Sequence, residues 1–155
     1  MSMSAGFVIL NYNDCESVEV LVSSIREKGI DDRICIVDNC STDDSYRRLC
    51  GMQLDSIDVI SSGRNGGYAF GNNVGCRYLI KKYHVDVVFI ANPDVEFDAD
   101  TIRDIKKTLS EKQQYAVMSA VMHDGKDTIS DRAYIFLPSY FQNLFGSSCI
   151  LMGKS

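Results

Sequence analysis

Short, largely apolar runs alternate along the chain with segments whose apolar residues recur at helical spacing. The runs have the length of β-strands and cover residues 5–10, 34–37, 57–60, 87–91 and 116–122. The fourth run is apolar throughout, which is typical of a strand buried on both faces, as in parallel sheets. Because Pro93 cannot donate a hydrogen bond to a neighbouring strand, we expect this strand to end beside Asn92.

The segment after the first run shows how the intervening helices are predicted. Apolar residues recur there at positions 18, 21, 22 and 25, as expected of a helix with one buried face. Asn13 and Glu16 have the spacing of a capping box, so we expect Asn13 to cap this helix and Gly29 to close it. Similar spacing predicts helices after the third and fourth runs, the latter capped by Asp98 or Asp100. A helix that reaches about residue 49 or 50 is predicted after the second run from its candidate N-caps, Ser41, Thr42, Asp43 and Asp44.

The order of these elements, β-α-β-α-β-α-β-α-β, decides the fold class. Such alternation predicts an α/β domain with a mostly parallel open sheet, covered by helices and joined by right-handed crossovers. We expect this domain to span residues 5–125. Residues 126–155 carry weaker signals, namely a short strand near 134–137, an aromatic segment at 140–145 and an apolar patch at 149–152.

Composition and charge narrow the classes of partner. The chain has 155 residues, 45% of them hydrophobic and 24% charged, which suits one globular domain with its own core. Sixteen basic residues against 21 acidic ones give a net charge of −5. This balance argues against a nucleic-acid partner, which needs a basic surface. It leaves room for an anionic small ligand, because a bound cation can reverse the potential at one site.

The cysteines and the absence of long apolar stretches bear on location. Six cysteines stand at positions 15, 35, 40, 50, 76 and 149, without a Cys-x-x-Cys pair. No secretory signal precedes the first predicted strand, so reduced cysteines are favoured over disulfides. No apolar stretch approaches the roughly 18 residues of a membrane span. We therefore expect a cytoplasmic protein, either free or in peripheral association with the inner face of the membrane.

Polar clusters follow the first four predicted strands, where a parallel sheet would bring them to one edge. They are Asn11-Tyr12-Asn13, Asp38-Asn39, Arg64-Asn65-Gly66-Gly67 and Asn92-Pro93-Asp94. Open α/β sheets bind their ligands at that edge, outside the carboxyl ends of the strands. Each cluster alone is a weak signal, but their joint placement predicts that they converge on one ligand.

Asp94 is the strongest metal-ligand candidate in these clusters. A carboxylate just beyond a central strand is well placed to hold a divalent cation against a phosphorylated ligand. Glu96 and Asp98 lie close enough to be further ligands, although acids there also stabilise the start of the next helix without any ligand. His84 and His123 have no partner at metal-binding spacing, so we expect both to be structural.

The glycine-rich loop after the third strand, residues 63–67, could bring backbone N–H groups close to phosphate oxygens. The start of the next helix would add positive potential, and Arg64 a permanent charge with forked donors. The loop matches neither the Gly-x-x-x-x-Gly-Lys-Ser/Thr nor the Gly-x-Gly-x-x-Gly pattern. Loops of this composition are more often plain turns.

Other polar residues at this edge allow two interpretations. Asp38 could accept hydrogen bonds from a base or a ribose, or it could cap the turn in Asp-Asn-Cys-Ser-Thr. Tyr12 could lie on a base, or it could be an ordinary core or surface tyrosine. Asn72 and Asn73 could face the same cleft, although surface amides are the more common case.

Four ordered motifs resemble those of family 2 glycosyltransferases, and their asparagine-rich form resembles the rhamnosyltransferase-like branch. The motifs are residues 8–13, 36–43, 64–73 and 92–94, and the resemblance covers about residues 5–125. It implies a GT-A fold, a Rossmann-like nucleotide-binding domain with helices on both faces of the sheet. It further implies polysaccharide biosynthesis, with a UDP- or dTDP-sugar donor, Mg²⁺ or Mn²⁺, and a saccharide or lipid-linked acceptor.

The resemblance also implies a role for individual residues. Tyr12 and Asp38 look like base contacts. Asn92-Pro93-Asp94 occupies the Asp-x-Asp position, so Asp94 is the implied metal ligand and Asn92 a neutral contact to the ribose or to a metal-bound water. The expected nucleotide-binding residues are Asn11, Tyr12, Asn13, Asp38, Arg64, Asn65, Gly66, Gly67, Asn72 and Asn92.

One part of the family pattern is missing from the sequence. Members of the family normally continue into an acceptor-binding half with a carboxylate as catalytic base, whereas this sequence ends before such a motif. Asp127 and Asp131 come too early to match it, so the catalytic residue stays unassigned. We therefore expect residues 5–125 to be a donor-binding domain and residues 126–155 the partial start of the acceptor side.

The expected function is thus a glycosyltransferase of the inverting, hexosyl- or rhamnosyl-transferring kind, inactive if it lacks its acceptor half. The alternative is a non-catalytic module that binds a nucleotide sugar or a partner protein. A phosphoacceptor or cofactor-binding α/β domain is disfavoured. The turn after the first strand lacks an adjacent pair of acids, and the dinucleotide fingerprint is absent.

Overall fold

The computed structural model describes residues 3–111 and, beyond them, the backbone pairing of four two-residue strands. The elements of the first part are β1 Ala5–Asn11, α1 Cys15–Glu27, β2 Arg33–Asp38, α2 Ser45–Cys50, β3 Ile57–Ser61, α3 Tyr68–Tyr83, β4 Val87–Ala91 and α4 Ala99–Glu111. The short strands are β5 Val117–Met118, β6 Met122–His123, β7 Ile129–Ser130 and β8 Ile135–Phe136. The alternation of strands and helices through α4 confirms the order predicted from the apolar runs.

The main sheet has the strand order β3-β2-β1-β4-β8-β5. Strand β1 pairs in parallel with β2 on one side and with β4 on the other, and β3 extends the parallel ladder beside β2. Strand β8 is antiparallel to both β4 and β5. The strand order therefore reverses between β1 and β4, and open α/β sheets bind ligands at such a point.

The register of the parallel strands brings their carboxyl ends level. Asn11 pairs with Asp38, and Asp38 pairs with Ser61. On the other side of β1, Ile9 pairs with Ala91, the last residue of β4. We call the four turns that follow these strands the carboxyl edge; it comprises residues 11–14, 38–42, 61–67 and 92–95.

Helices cover both faces of the sheet, as the predicted fold class requires. On one face, buried side chains of α1, α2 and α4 pack on the sheet, and the Phe7 ring stacks on Phe89 and Phe97 with centroids 4.9 and 5.6 Å away. On the other face, Cys76 and Leu79 of α3 belong to a second buried cluster. These two apolar layers fix the sheet and hence the turns at its end.

Helix α3 approaches the sheet closely because glycine occupies two of its positions. A Cβ atom on Gly75 would lie 2.6 Å from Val8 Cγ1, and one on Gly71 would lie 2.3 Å from Leu10 Cδ1. Gly71 and Gly75 are four residues apart and so share one face of the helix. The start of α3 is thereby held against the end of β1.

The predicted cap of the first helix is wrong by one residue. Asp14 is the N-cap, and its carboxylate accepts a hydrogen bond from the Ser17 N–H at 3.4 Å. Asn13 cannot serve because its backbone is left-handed, with φ +56°, and its side chain bonds Thr42 instead. Gly29, with φ +70°, follows the end of the helix as expected.

The predicted fifth strand is also corrected. Val117 and Met118 form β5, which pairs with β8, whereas Met122 belongs to β6, which pairs with β7 in a separate ladder. The predicted strand near 134–137 is confirmed as β8, which lies between β4 and β5. The aromatic segment at 140–145 and the apolar patch at 149–152 fall outside the described residues. Within the described part, no helix has the length and hydropathy to cross a bilayer.

Candidate functional site

The ends of β1 and β2 are joined by a buried hydrogen-bonded cluster. Asn11 donates from Nδ2 to Asp38 Oδ1 at 2.9 Å and to Ser41 Oγ at 3.0 Å. Ser41 donates from Oγ to Asp38 Oδ1 at 2.6 Å and from its backbone N–H to Oδ2 at 3.0 Å. Asp38, only 2% exposed, therefore closes the turn after β2, which is one of the two interpretations left open by the sequence. Ser41, which the sequence suggested only as a cap of the next helix, supplies two of its donors.

Asn13 links the same two turns nearer to the surface. Its backbone N–H donates to Ser41 Oγ at 2.9 Å, and its Oδ1 accepts from the Thr42 N–H at 2.7 Å. Its Nδ2 donates to Thr42 Oγ1 at 3.1 Å. These bonds fix the turn that carries Tyr12, a tyrosine that is 47% exposed. Tyr12 is thus a surface residue at the carboxyl edge.

Asn39 joins the end of β2 to the glycine-rich loop. Its backbone N–H donates to the Asn11 carbonyl at 2.8 Å. Its Nδ2 donates to Asn65 Oδ1 at 3.0 Å, and its Oδ1 accepts from Ser62 Oγ at 3.1 Å. Asn65 Oδ1 also accepts from the Gly67 N–H at 3.1 Å. The loop is therefore a structured turn that is anchored to the neighbouring strand.

The loop leads into the start of α3 with a positive group beside it. Gly67 has φ +81°, and its position before the helix provides no side-chain cap for the first N–H groups of α3. The Arg64 guanidinium lies over the Phe70 ring, 4.7 Å from its centroid. A helix N-terminus with unmet N–H groups attracts anions, and an arginine adds charge and donors. This part of the carboxyl edge suits phosphate oxygens.

Tyr68, the first residue of α3, connects the loop to the turn after β4. Its hydroxyl donates to Asn92 Oδ1 at 2.5 Å, and the Asn92 carbonyl accepts from the Val95 N–H at 3.2 Å. Burial raises the pKa of the Tyr68 phenol; hydrogen bonds with Asn72 and Asn92 act against this, and the negative charge of Asp94 adds to the increase. The turn that carries Asp94 is therefore joined to the start of α3 through Tyr68 and Asn92.

Asn72 lies one turn of α3 beyond Tyr68 and is buried, so its interpretation as a surface amide is wrong. It is 1% exposed, and its Nδ2 donates to the Tyr68 carbonyl at 3.1 Å. Its Oδ1 is buried without a hydrogen-bond partner in residues 3–111. Asn73, its neighbour, is only partly buried.

The donor set at the turn after β4 suits a cation that is shared with a ligand. Asp94, Glu96 and Asp98 are all exposed. Among the described residues, however, no three His, Cys, Asp or Glu side chains are grouped so as to hold a metal by themselves. Mg²⁺ is commonly bound by one or two carboxylates together with substrate phosphates. Asp94 fits that mode of binding. The described residues offer no set of protein ligands that would surround a metal by itself.

Of the other acids and histidines considered in the sequence, some lie at helix ends and some outside the described residues. His84 caps α3 with φ +52°, and its backbone N–H bonds the Ile80 carbonyl, so its place in the fold is that of a helix end. Asp98 directly precedes α4, and Asp100 lies in its first turn. The side chains of Asp127 and Asp131 lie outside the described residues.

The structure thus brings the predicted residues of all four turns to one edge of the sheet. Contacts between turns that the sequence did not indicate come from Ser41, Thr42, Ser62 and Tyr68. Hydroxyl residues in turns are too common to be singled out by type alone. Tyr68 directly follows the glycine pair at a helix start, and that was its one available signal.

Known proteins share the sequence pattern of this chain. The model of the family described as Glycosyl transferase family 2 matches residues 7–152. The chain is 34% identical over 112 residues to the low-salt glycan biosynthesis hexosyltransferase Agl10 of Haloferax volcanii. That alignment covers 72% of this chain and 34% of the relative. The chain therefore spans about a third of the length of this curated relative.

Solved structures share its fold. The mannosyltransferase PcManGT from Pyrobaculum calidifontis, in complex with GDP-Man and Mn²⁺, matches with a TM-score of 0.71 and 16% identity, over 94% of this chain and 48% of that one. S. aureus TarS 1–349 in complex with UDP-GlcNAc matches with a TM-score of 0.69 and 16% identity, over 90% and 47%. At such identities the likeness concerns the fold, which is the GT-A fold expected from the sequence.

Proposed function

The chain belongs to glycosyl transferase family 2, and from that premise we propose that its carboxyl edge binds the nucleotide-sugar donor of a glycosyl transfer reaction. One observation carries the proposal: side chains from all four turns are joined across the ends of β1 to β4. Asn11 bonds Asp38, Asn39 bonds Asn65, and Tyr68 bonds Asn92. The four turns thus form one surface, at the point of the sheet where α/β proteins bind ligands.

The turns after β1 and β2 would take the nucleoside. The exposed Tyr12 ring offers a face on which a base can stack. Asp38 accepts hydrogen bonds from Asn11 and Ser41 and so joins the turn that carries Tyr12 to the turn after β2. We therefore assign the base-binding side of the site to Tyr12 and Asp38.

The loop at 63–67 and the start of α3 would take the diphosphate. Its backbone N–H groups lie at a helix N-terminus without a side-chain cap, and Arg64 stands beside them. These are the groups that bind phosphate oxygens in many proteins. Asn65, Gly66 and Gly67 shape the loop, and the Asn72 amide lies under it at the first turns of the helix.

Asp94 would hold Mg²⁺ or Mn²⁺ between the protein and the diphosphate. Exposed acids dominate the turn after β4, so a bare diphosphate would be repelled there unless a cation intervened. Such a cation neutralises the charge that develops on the leaving diphosphate, an effect worth several kcal/mol. Mn²⁺ complexes of the mannosyltransferase and of the Mycobacterium tuberculosis glucosyl-3-phosphoglycerate synthase support this assignment.

The finer features of the reaction follow from the family. We propose that a hexosyl residue is transferred, with inversion of its anomeric configuration, to a saccharide or lipid-linked acceptor. The asparagine-rich motifs favour a residue of the rhamnosyl type. The donor would be a UDP- or dTDP-sugar. The reaction would take place at the cytoplasmic face of a membrane. The hexosyltransferase relative, named for glycan biosynthesis, supports the acceptor class.

Nucleotide titration tests the proposal. We expect UDP or dTDP to bind the 155-residue chain in isothermal titration calorimetry with Mn²⁺, and at least tenfold more weakly without it. Asp94→Asn should weaken Mn²⁺-dependent binding by about 10-fold to 100-fold, since it removes a charged metal ligand.

The matched control is Asp104→Asn, which neutralises an exposed carboxylate on α4 and should bind as the wild type does. A nucleotide affinity that is the same with and without Mn²⁺, or an Asp94→Asn variant with wild-type affinity, would contradict the proposed site.

A further inference from the structure

We infer that Tyr68 is a positioning residue, which turns the Asn92 side chain so that its amide nitrogen faces an oxygen atom of the bound nucleotide. The inference rests on the proposed nucleotide site and adds to it. It assigns a task to a residue that sequence reasoning passed over. It also bears on the two contacts left open for Asn92, one to the ribose and one to a metal-bound water.

The contact itself is well defined. The Tyr68 hydroxyl lies 2.5 Å from Asn92 Oδ1. Hydrogen bonds between two oxygens have a usual separation of 2.7–2.8 Å, whereas those from nitrogen to oxygen are near 2.9–3.0 Å. The short separation therefore fits a hydroxyl that donates to the amide oxygen and not an amide nitrogen that donates to the hydroxyl.

Tyr68 is held in place from both sides. Gly67, with φ +81°, turns the chain into α3 just before it. From within the helix, the buried Asn72 donates to the Tyr68 carbonyl at 3.1 Å. The close packing of Gly71 on Leu10 fixes the same helical turn against β1. A rigid hydroxyl can orient a side chain across the gap between α3 and the turn after β4.

The orientation has a chemical consequence for Asn92. With Oδ1 engaged by Tyr68, Nδ2 is the remaining polar group of the side chain, and the hydrogen bonds within residues 3–111 include none from it. Asn92 is exposed at the carboxyl edge. An amide nitrogen donates hydrogen bonds and cannot ligate a cation. Asn92 would therefore donate to a ribose or phosphate oxygen, and Asp94 alone would provide the protein's bond to the metal.

The Tyr68 hydroxyl is a donor at neutral pH. The pKa of a tyrosine is about 10, and burial raises the pKa of the Tyr68 phenol further. A carboxylate at position 92 would be a different case, because it would place a second acid beside Asp94.

A double-mutant cycle tests the inference. The probes are UDP and dTDP, titrated into the full chain with saturating Mn²⁺. We expect Tyr68→Phe, which removes only the hydroxyl, to weaken nucleotide binding about threefold to tenfold. A change of this size is typical of the loss of one oriented hydrogen bond. In an Asn92→Ala background the same substitution should have no effect, because Tyr68 acts through Asn92.

The dependence of nucleotide affinity on Mn²⁺ provides the second readout. The ratio of the affinities with and without Mn²⁺ should be the same in Asn92→Ala as in the wild type, because no metal ligand is removed, whereas Asp94→Asn should bring this ratio close to one. Equal losses from Tyr68→Phe in both backgrounds, or a smaller ratio in Asn92→Ala, would overturn the inference while leaving the proposed function intact.

A ligand-free measurement separates failure of the inference from failure of the function. The NMR signals of the Asn92 side-chain amide should shift in Tyr68→Phe. They should not shift in Tyr78→Phe, the control, which removes a tyrosine hydroxyl near the other end of α3. Unchanged signals in Tyr68→Phe would overturn the inference. Shifted signals in a protein that binds neither nucleotide would overturn both proposals and leave the contact a structural one.

Discussion

At the scale of single residues, two buried carboxylates show how position decides what an acid does. Asp38 lies at the carboxyl edge, where its acceptors hold a turn. Asp58, 6% exposed on β3, lies toward the other end of the sheet. It accepts bonds from Lys82 Nζ at 2.8 Å, from the Tyr78 hydroxyl at 3.0 Å and from the Tyr83 hydroxyl at 2.7 Å. Asp58 thereby anchors the end of α3 that is farther from the proposed site.

The Asp58 cluster predicts a dependence of stability on pH. Burial raises the pKa of the Asp58 carboxyl, but the bonds from Lys82, Tyr83 and Tyr78 together bring it below its usual value. A depressed folded pKa stabilises the protein above the unfolded value of about 3.9, and this stabilisation is lost as the pH falls through the folded pKa. We therefore expect the free energy of unfolding to decrease from about pH 4 downward.

Asp58→Asn should remove part of this pH dependence and lower stability at pH 7 by about 1–3 kcal/mol, the cost of impaired buried hydrogen bonds. We expect the loss of stability to lie at the lower end of this range, because the Lys82 side chain is 47% exposed and solvent screens its charge. Urea unfolding at pH 7 and pH 3 measures both effects, with Asp104→Asn as the exposed control. A variant with the wild-type pH slope would contradict this account of the cluster.

At the scale of elements, α3 matters most, since it carries the end of the glycine loop and Tyr68. Its glycines lower the intrinsic helix propensity but allow close approach to β1 and β2. The apolar pattern predicted this helix and its neighbours, because each buries one face on the sheet. The apolar pattern did not predict that β5 and β6 belong to separate ladders. Two-residue strands such as β8 pair with segments far along the chain, and their local sequence does not specify the partner.

Gly75→Ala tests the close packing of α3. Alanine favours a helix over glycine by about 1 kcal/mol. The new Cβ, however, would lie 2.6 Å from Val8 Cγ1 and 2.8 Å from Val37 Cγ2, both on buried strands. Overpacking of this kind costs about 1–3 kcal/mol, so we expect a net loss of about 1 kcal/mol in urea unfolding. Lys81→Ala, at an exposed position of the same helix, should be neutral. A more stable Gly75→Ala protein would contradict the packing argument.

At the scale of the whole molecule, the proposed site exists because parallel strands end together. The sequence allowed that to be predicted, since alternation of strands and helices places successive carboxyl ends on one side. It could not supply the strand order 3-2-1-4, and so could not show that the turns after β1 and β4 are neighbours. The Tyr68–Asn92 contact depends on that order and was missed for the same reason.

The measurement that tests this convergence most directly is paramagnetic broadening by Mn²⁺ in the amide NMR spectrum of the chain with UDP or dTDP. We predict that broadening is centred on residues 92–95 and includes residues 11–14, 38–42 and 63–68. Amides around Asp58 and Lys82 should stay sharp. Broadening centred anywhere else, or broadening that reaches Asp94 but spares both Asp38 and Arg64, would contradict the account of a single nucleotide-binding edge.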